Sequence, residues 1–279
     1  MSAVYQEGTP SPPAKAYFGG GAALYDRSRP TYPEALITRI AGTLPGRDIL
    51  DVGCGSGIEA RQFQAAGCTV LGVDPDARMA EYARSTGVPV EVGTFETWAA
   101  AGRTFDGVVA GTAWHWVDPL AGATRAAEAL RPGGLLAPFH HASLTPPELA
   151  DAAGMSLPAW GSRSADAYRR VAPDSLFDLA GQRRSPFDLY QPLFDRIADG
   201  IRQTGSFTEP EQWRFDWERT YSRDEWLELL PTQGALAKLS PDELAGVLDA
   251  VGAVIDRMGG SFSLPYATVA VTAVRRDAG

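Results

Sequence analysis

Ile49-Leu50-Asp51-Val52-Gly53-Cys54-Gly55-Ser56-Gly57 is an apolar run that breaks into three glycines at alternate positions, and a helical stretch, Gly57–Ala66, follows directly. A buried strand that passes through a tight turn into a helix is the opening unit of a parallel α/β sheet. Glycine in such a turn lets the backbone take positive φ and approach a ligand closely. The spacing narrows the choice of ligand. A dinucleotide turn requires Gly-x-Gly-x-x-Gly or Ala, its last small residue allowing helix and strand to pack tightly. Counted from Gly53 the sixth position is Ile58, so that pattern fails.

Outward from this turn, β-like runs alternate with helical stretches as far as Phe139. Strands are expected at Ile49–Val52, Thr69–Val73, Pro89–Val92, Phe105–Ala110 and Leu135–Phe139. Helices are expected at Gly57–Ala66, Asp76–Ser85 and Leu120–Leu130, where apolar residues recur at helical spacing. Upstream, Pro33 suits the first turn of a helix at Glu34–Ala41. Downstream the regular alternation stops. Residues 142–211 hold proline pairs, scattered aromatics (Trp160, Tyr168, Phe177, Phe187, Tyr190, Phe194, Phe207) and an amphipathic candidate, Pro192–Thr204. A strand at Gln212–Tyr221, helices at Asp224–Leu230 and Pro241–Met258, and an alternating strand at Tyr266–Val274 then return to the sheet. The expected class is α/β: a Rossmann-like, seven-stranded, mostly parallel sheet with helices on both faces and a mainly helical cap after the fifth strand. The domain reading is a flexible tail at 1–17, a catalytic domain at 18–141 and 212–279, and a cap at 142–211.

A second acid, Asp74, closes the next strand in Leu71-Gly-Val-Asp74-Pro75. A carboxylate there can accept two hydrogen bonds from the vicinal hydroxyls of a ribose, or it can cap the helix that follows. His115 lies between Trp114 and Trp116, and His140 and His141 follow the fifth strand, where consecutive side chains point to opposite faces. At most one of that pair should therefore reach a pocket. As metal ligands His140 and His141 lack a third partner at sensible spacing, so no metal is expected. A nucleophilic Gly-x-Ser-x-Gly elbow and a Tyr-x-x-x-Lys pattern are both absent.

The Asp51-x-Gly53-x-Gly55-x-Gly57 pattern resembles the first motif of class I S-adenosylmethionine-dependent methyltransferases. The run Phe105-Asp106 through His115-Trp116-Val-Asp118 and the turn Leu130-Arg-Pro-Gly-Gly-Leu135 are similar to later motifs of that family. The resemblance covers roughly residues 18–140 and implies S-adenosyl-L-methionine as cofactor. It implies that Gly53, Cys54, Gly55 and Gly57 pack against the methionine part of the cofactor, with Asp51 near its ammonium group. Asp74 and Pro75 would meet the ribose, Met79 would cover the adenine, and Thr94, Phe95 and Glu96 would reach the adenine edge. Tyr25 and Arg29, in a segment over the cofactor, would face its carboxylate. Gly111 and Thr112 would lie near the methyl group, with His115 as the base candidate and Trp114, His140 and His141 toward the acceptor. The alternative reading of His115 is structural, a ring hydrogen bonded to backbone.

The remaining features bound the partners. Against 34 acidic side chains stand 25 basic ones, a formal charge of −9, and the longest basic runs are the pairs Arg169–Arg170, Arg183–Arg184 and Arg275–Arg276, so an extended phosphate backbone would be repelled. No apolar run approaches the roughly 20 residues of a membrane span. The first fifteen residues lack an apolar leader core, and Cys54 and Cys68 show no disulfide-scaffold spacing, so a reduced, cytoplasmic protein is expected. The partners expected are a small-molecule acceptor and neither nucleic acid nor membrane, in a monomer or homodimer. The aromatic residues favour an acceptor with a ring or apolar body. Two other readings stay open: a non-methylating binder of the cofactor (a sensor or cyclase), and, opposed by Ile58, an NAD-dependent oxidoreductase.

Overall fold

The computed structural model describes residues 21–143, 145–152, 186–234, 236 and 239–277. The expected tail at 1–17 and residues 153–185 of the expected cap lie outside the described residues. The sheet has seven strands in the order β3-β2-β1-β4-β5-β7-β6. They are β1 (Asp48–Val52), β2 (Thr69–Asp74), β3 (Val90–Val92), β4 (Phe105–Gly111), β5 (Leu130–Ser143), β6 (Glu211–Ser222) and β7 (Ser261–Val274). β1 to β5 pair in parallel, and β7 runs antiparallel to both β5 and β6.

Buried parallel strands read as unbroken apolar runs because both faces are covered. β4 shows the division. Val108 and Ala110 enter one core with Leu50, Val52 and Leu136, under helices α5 (Pro119–Ala129) and α7 (Pro186–Thr204). Val109 enters the other with Ile49, Ala137 and Phe139, under α2 (Glu34–Thr43), α3 (Ile58–Ala65) and α4 (Ala77–Ser85). The Phe105-Asp106 and Leu130-Arg131 motifs hold each other. Arg131 pairs with Asp106 at 2.7 Å, and Asp106 also accepts the Asp48 N–H at 2.9 Å.

Within 142–211, α6 (Pro147–Ala152) and α7 are described. α7 buries Leu193, Phe194, Ile197 and Ile201 in the sheet core against α5. A third core lies beyond the parallel sheet. It joins Leu149 of α6 to Trp226 and Leu229 of α8 (Arg223–Leu229), Val251 and Ile255 of α9 (Pro241–Arg257), and Tyr221, Phe262, Leu264 and Tyr266 of the long β6–β7 pair. α8 and α9 both start with capping boxes, Ser222/Glu225 and Ser240/Glu243. β7 begins five residues before the expected Tyr266 because Phe262 and Leu264 alternate with serines to face this third core. Pro265 is tolerated there: β5 pairing ends at Tyr266, so the missing N–H falls where one side of β7 is open.

Candidate cofactor site

In an open α/β sheet the ligand crevice opens beyond the carboxyl ends of the strands where their order reverses. Here that point lies between β1 and β4, flanked by the Gly53–Gly57 turn and by Gly111-Thr112. Gly53, Gly55 and Gly57 all take positive φ (68°, 54° and 88°), which only glycine adopts without strain. A Cβ added to Gly55 would meet nothing within 4 Å, so the turn opens onto free space there. Cys54 points the other way. Its buried thiol packs beneath β2, and a Cβ on Gly72 would lie 2.5 Å from Sγ.

Three acids converge on the turn. Asp51, at the end of β1, is fully buried, and neither of its carboxylate oxygens has a hydrogen-bond partner. Asp74, at the end of β2, accepts the Gly55 N–H and the Asp76 N–H, each at 2.8 Å, and so braces the turn with the same carboxylate that sequence spacing assigns to ribose. Loss of water raises its pKa to about 6, although these two bonds pull the other way. Asp76, not Asp74, caps α4, accepting the Arg78 N–H. Glu59, in the first turn of α3, is the third acid, and sequence reasoning passed over it. It is buried against Gly111, where an added Cβ would sit 2.5 Å from its Oε1. Burial raises its pKa to about 8, and Asp51 is pushed well above the carboxylate range by burial and then by Glu59 and Asp74.

Across the crevice stands Tyr32, also missed, its hydroxyl 2.9 Å from Thr112 Oγ1. Thr112 itself has φ +53°, a strained conformation held by its N–H bond to the Phe139 carbonyl at 2.8 Å. Tyr25 and Arg29 come from α1 (Ala22–Ser28) and its C-cap, with the guanidinium 4.9 Å from the Tyr25 ring centroid. Arg29 donates through Nη2 to the Thr232 carbonyl at 2.6 Å, while its buried Nε has no partner.

The other expected residues divide between floor and rim. Met79 and Phe95 are buried, Phe95 lying 6.0 Å from Trp114 in the sheet core, and Pro75 is half-buried. Thr94 is exposed and shares a hydrogen bond with Thr97, and Glu96 accepts the Asp118 N–H at 3.2 Å. Trp114 is buried and His115 exposed. His115 packs 4.8 Å from Trp116 and 5.5 Å from His140. His140 and His141 diverge as strand geometry requires. His140 turns to His115 and Tyr190 of α7. His141 stacks on Tyr32 at 4.4 Å and approaches Trp217 and Tyr266, with Nδ1 2.8 Å from Thr268 Oγ1. Trp217 and Tyr266 stack at 4.3 Å, and the Tyr266 and Tyr221 hydroxyls meet at 2.7 Å. This wall of rings from β5, β6 and β7 adjoins the crevice. Two surface grooves lie elsewhere, one between α5 and α7 and one at the amino ends of β1, β2 and β4, and neither contains these acids. Among the described residues no cluster of His, Cys, Asp or Glu is arranged to hold a metal ion, and no helix is long and apolar enough to cross a membrane.

A glycine turn open to a ligand, an unpaired buried acid beside it and a second acid at the end of the neighbouring strand define an α/β protein that binds a nucleoside-like cation. A methyltransferase domain model matches residues 50–137, the span from β1 to β5. An uncharacterized methyltransferase of Mycobacterium tuberculosis is 36% identical over 124 residues, 43% of this chain and 49% of that protein. A ubiquinone biosynthesis O-methyltransferase of Rhizobium rhizogenes is 29% identical over 184 residues, covering 63% of this chain and 69% of that protein. Among solved structures, that of a putative type II methyltransferase from Anaeromyxobacter dehalogenans shares the fold, with a TM-score of 0.55, 22% identity and coverage of 88% of this chain and 97% of that one. The chain spans about half the length of the curated relatives with the strongest match. It carries a class I S-adenosylmethionine-dependent methyltransferase domain.

The residues fit that cofactor. Asp51 offers an uncompensated carboxylate to a cation, the Ser56 hydroxyl is buried and likewise unpartnered, and the space above Gly55 is open.

Proposed function

We propose that this protein transfers the methyl group of S-adenosylmethionine to a small acceptor with an aromatic or otherwise apolar body. The observation that carries the reading is Asp51: a fully buried carboxylate with both oxygens unpaired, beside an open glycine turn. A buried carboxyl without a partner ionises only at a cost of several kcal/mol unless a cation compensates it, so such a site is built for a ligand that brings the opposite charge. When bound, the cofactor supplies an electrophilic methyl group on a sulfonium.

The chain's own residues then have to hold, orient and dry the site. Asp74 presents its remaining acceptor capacity to the ribose while bracing Gly55. Arg29 turns its free Nε–H toward the cofactor carboxylate, with Tyr25 beneath it. Tyr32, His141, Trp217 and Tyr266 form the apolar wall that receives the acceptor and excludes water, which in-line transfer needs more than it needs acid–base help. His140, its pKa lowered by burial, is neutral at pH 7, and like the exposed His115 it can accept a hydrogen bond from an acceptor hydroxyl. The name of the Rhizobium relative, an O-methyltransferase of quinone biosynthesis, supports the same acceptor chemistry.

Calorimetric titration with S-adenosylmethionine and S-adenosylhomocysteine tests the cofactor site. Transfer of labelled methyl to a panel of phenols, quinols and polar carboxylic acids tests the acceptor. Saturable binding and label on the ring compounds are expected; absence of binding, or label on the polar acids alone, contradicts the reading.

A further inference from the structure

We infer that Glu59, wedged beside Gly111 on the crevice floor that it shares with Asp51, senses the charge on the cofactor's sulfur and makes the site prefer the methyl donor to its demethylated product. The inference rests on the function proposed above. Its basis is geometric. The Glu59 carboxyl is wedged between the start of α3 and Gly111 at the end of β4, close enough that a Cβ on Gly111 would lie 2.5 Å from Oε1 and 2.7 Å from the Tyr32 hydroxyl. It therefore lies at the same edge of the crevice as Thr112. Asp51, fully buried and unpartnered, faces the same space from β1.

The groups that act on this acid come from every surrounding element. Asp74 on β2 repels its ionised form and Arg61 on α3 favours it, while the Gly111 N–H and its own backbone N–H supply hydrogen bonds. Burial raises the pKa values of Asp51, Tyr25, Tyr32 and Cys54, and the ionised form of Glu59 adds to each. Arg61 is already committed to Asp26 at 2.5 Å and to the Ser56 carbonyl at 2.9 Å. The one cation that acts on Glu59 is thus already shared, and three carboxyls at such range do not all ionise. A pKa of about 8 for Glu59 agrees with this arrangement.

S-adenosylmethionine and S-adenosylhomocysteine both carry an ammonium and a carboxylate, and only the first carries the extra sulfonium charge. A positive charge lowers the cost of ionising a nearby carboxyl, so the O–H bond of Glu59 breaks and its proton passes to the buffer. With the neutral-sulfur product the carboxyl keeps its proton. The device favours uptake of the methyl donor over retention of the spent product.

The test is calorimetric titration at pH 7 of the whole chain with each compound, in two buffers of different ionisation enthalpy, so that protons released can be counted. Net release with S-adenosylmethionine and less with S-adenosylhomocysteine is expected. Glu59→Gln, which keeps an oxygen to accept the Gly111 N–H, should abolish that excess and reduce the preference for the methyl donor about twofold at pH 7 and about tenfold at pH 9, where one pKa unit of differential interaction is fully expressed. A measurement on the unmodified chain guards against a variant that fails to fold. Between pH 6 and 8 its affinity for S-adenosylmethionine should rise relative to that for S-adenosylhomocysteine, and the ratio should level off above pH 8. Equal proton release for the two compounds, a ratio independent of pH, or an excess that survives in Glu59→Gln would overturn the role of Glu59 and leave the methyltransferase reading intact. Failure of the unmodified chain to bind either compound would overturn both.

Discussion

Asp74 holds Gly55 and Asp76 by their N–H groups, and in the site proposed above the same carboxylate would also meet the ribose. Asp74→Ala is therefore expected to weaken binding of S-adenosylmethionine at least tenfold, since a charged acceptor is lost and the turn is released as well. Asp74→Asn should lose less, because an amide oxygen can still accept the Gly55 N–H, and calorimetry on both variants would show whether that order holds. Glu59 affects stability in the opposite sense to a salt-bridged acid. Its pKa rises from 4.5 to about 8 on folding, so the native state holds a proton that the unfolded chain has already lost, and stability falls as pH rises between those values. Glu59→Gln should accordingly raise the melting temperature at pH 8 and change it little at pH 4.5; equal shifts at both would mean that the acid is not buried as described. His115→Ala should slow methyl transfer more than it weakens cofactor binding, because the ring is exposed on the His140 side and touches none of the three acids; equal loss of both would identify a structural residue. Asp51 and Asp74 are legible in the sequence because each sits a fixed distance from a glycine or a proline at a strand end. Glu59 is not, since an acid in the first turn of a helix is already accounted for by the helix dipole. The ring wall escapes for another reason: Tyr32, His141, Trp217 and Tyr266 are far apart in the chain, and only the register of β5, β7 and β6 brings them together.

At the scale of elements, strand and helix positions follow from apolar runs and helical periodicity, and they were readable from β1 through β5. The errors fall at ends. α7 begins at Pro186, six residues before the expected Pro192, because a proline within a helix does not stop it when the surrounding turns are packed. β6 and β7 extend beyond the parallel sheet because their outer halves belong to a core made with α8 and α9, a partnership that no local pattern announces. What local pattern also hides is how closely α5 and α7 approach. A Cβ on Gly200 would lie 2.5 Å from the Pro119 carbonyl oxygen. The backbone at Pro119 cannot yield as a flexible side chain could. Gly200→Ala should therefore destabilise the fold by about 1–3 kcal/mol, the usual cost of overpacking. Urea denaturation would measure it, and a neutral result would mean that the two helices separate freely.

For the molecule as a whole, the crevice depends on a core that lies mostly outside it. α1 carries Tyr25 and leads into Arg29, yet its own packing is slight, with only Ser28 fully buried. Its hold comes largely from elsewhere. Arg27 pairs with Glu228 of α8 at 3.2 Å, and Arg29 donates to the Thr232 carbonyl just beyond that helix. The Arg27–Glu228 pair is exposed, and such pairs contribute little by themselves. What fixes Thr232 and α8 is the third core, in which Trp226 is almost fully buried and packs edge-to-face with Tyr221 and Phe262, each 5.0 Å away. Trp226→Ala should cost about 3–5 kcal/mol, as large-to-small changes of buried aromatics do. Because the parallel sheet has separate cores, the loss should concentrate in α8, α9 and the outer halves of β6 and β7. Hydrogen exchange is then expected to quicken in those elements and in α1, while β1, β2 and β4 keep their protection. Cofactor affinity should fall with it although every acid in the crevice is unchanged, because Arg29 loses the carbonyl that positions it. If exchange quickens in the third core while affinity stays at its original value, α1 is held over the crevice by contacts other than these.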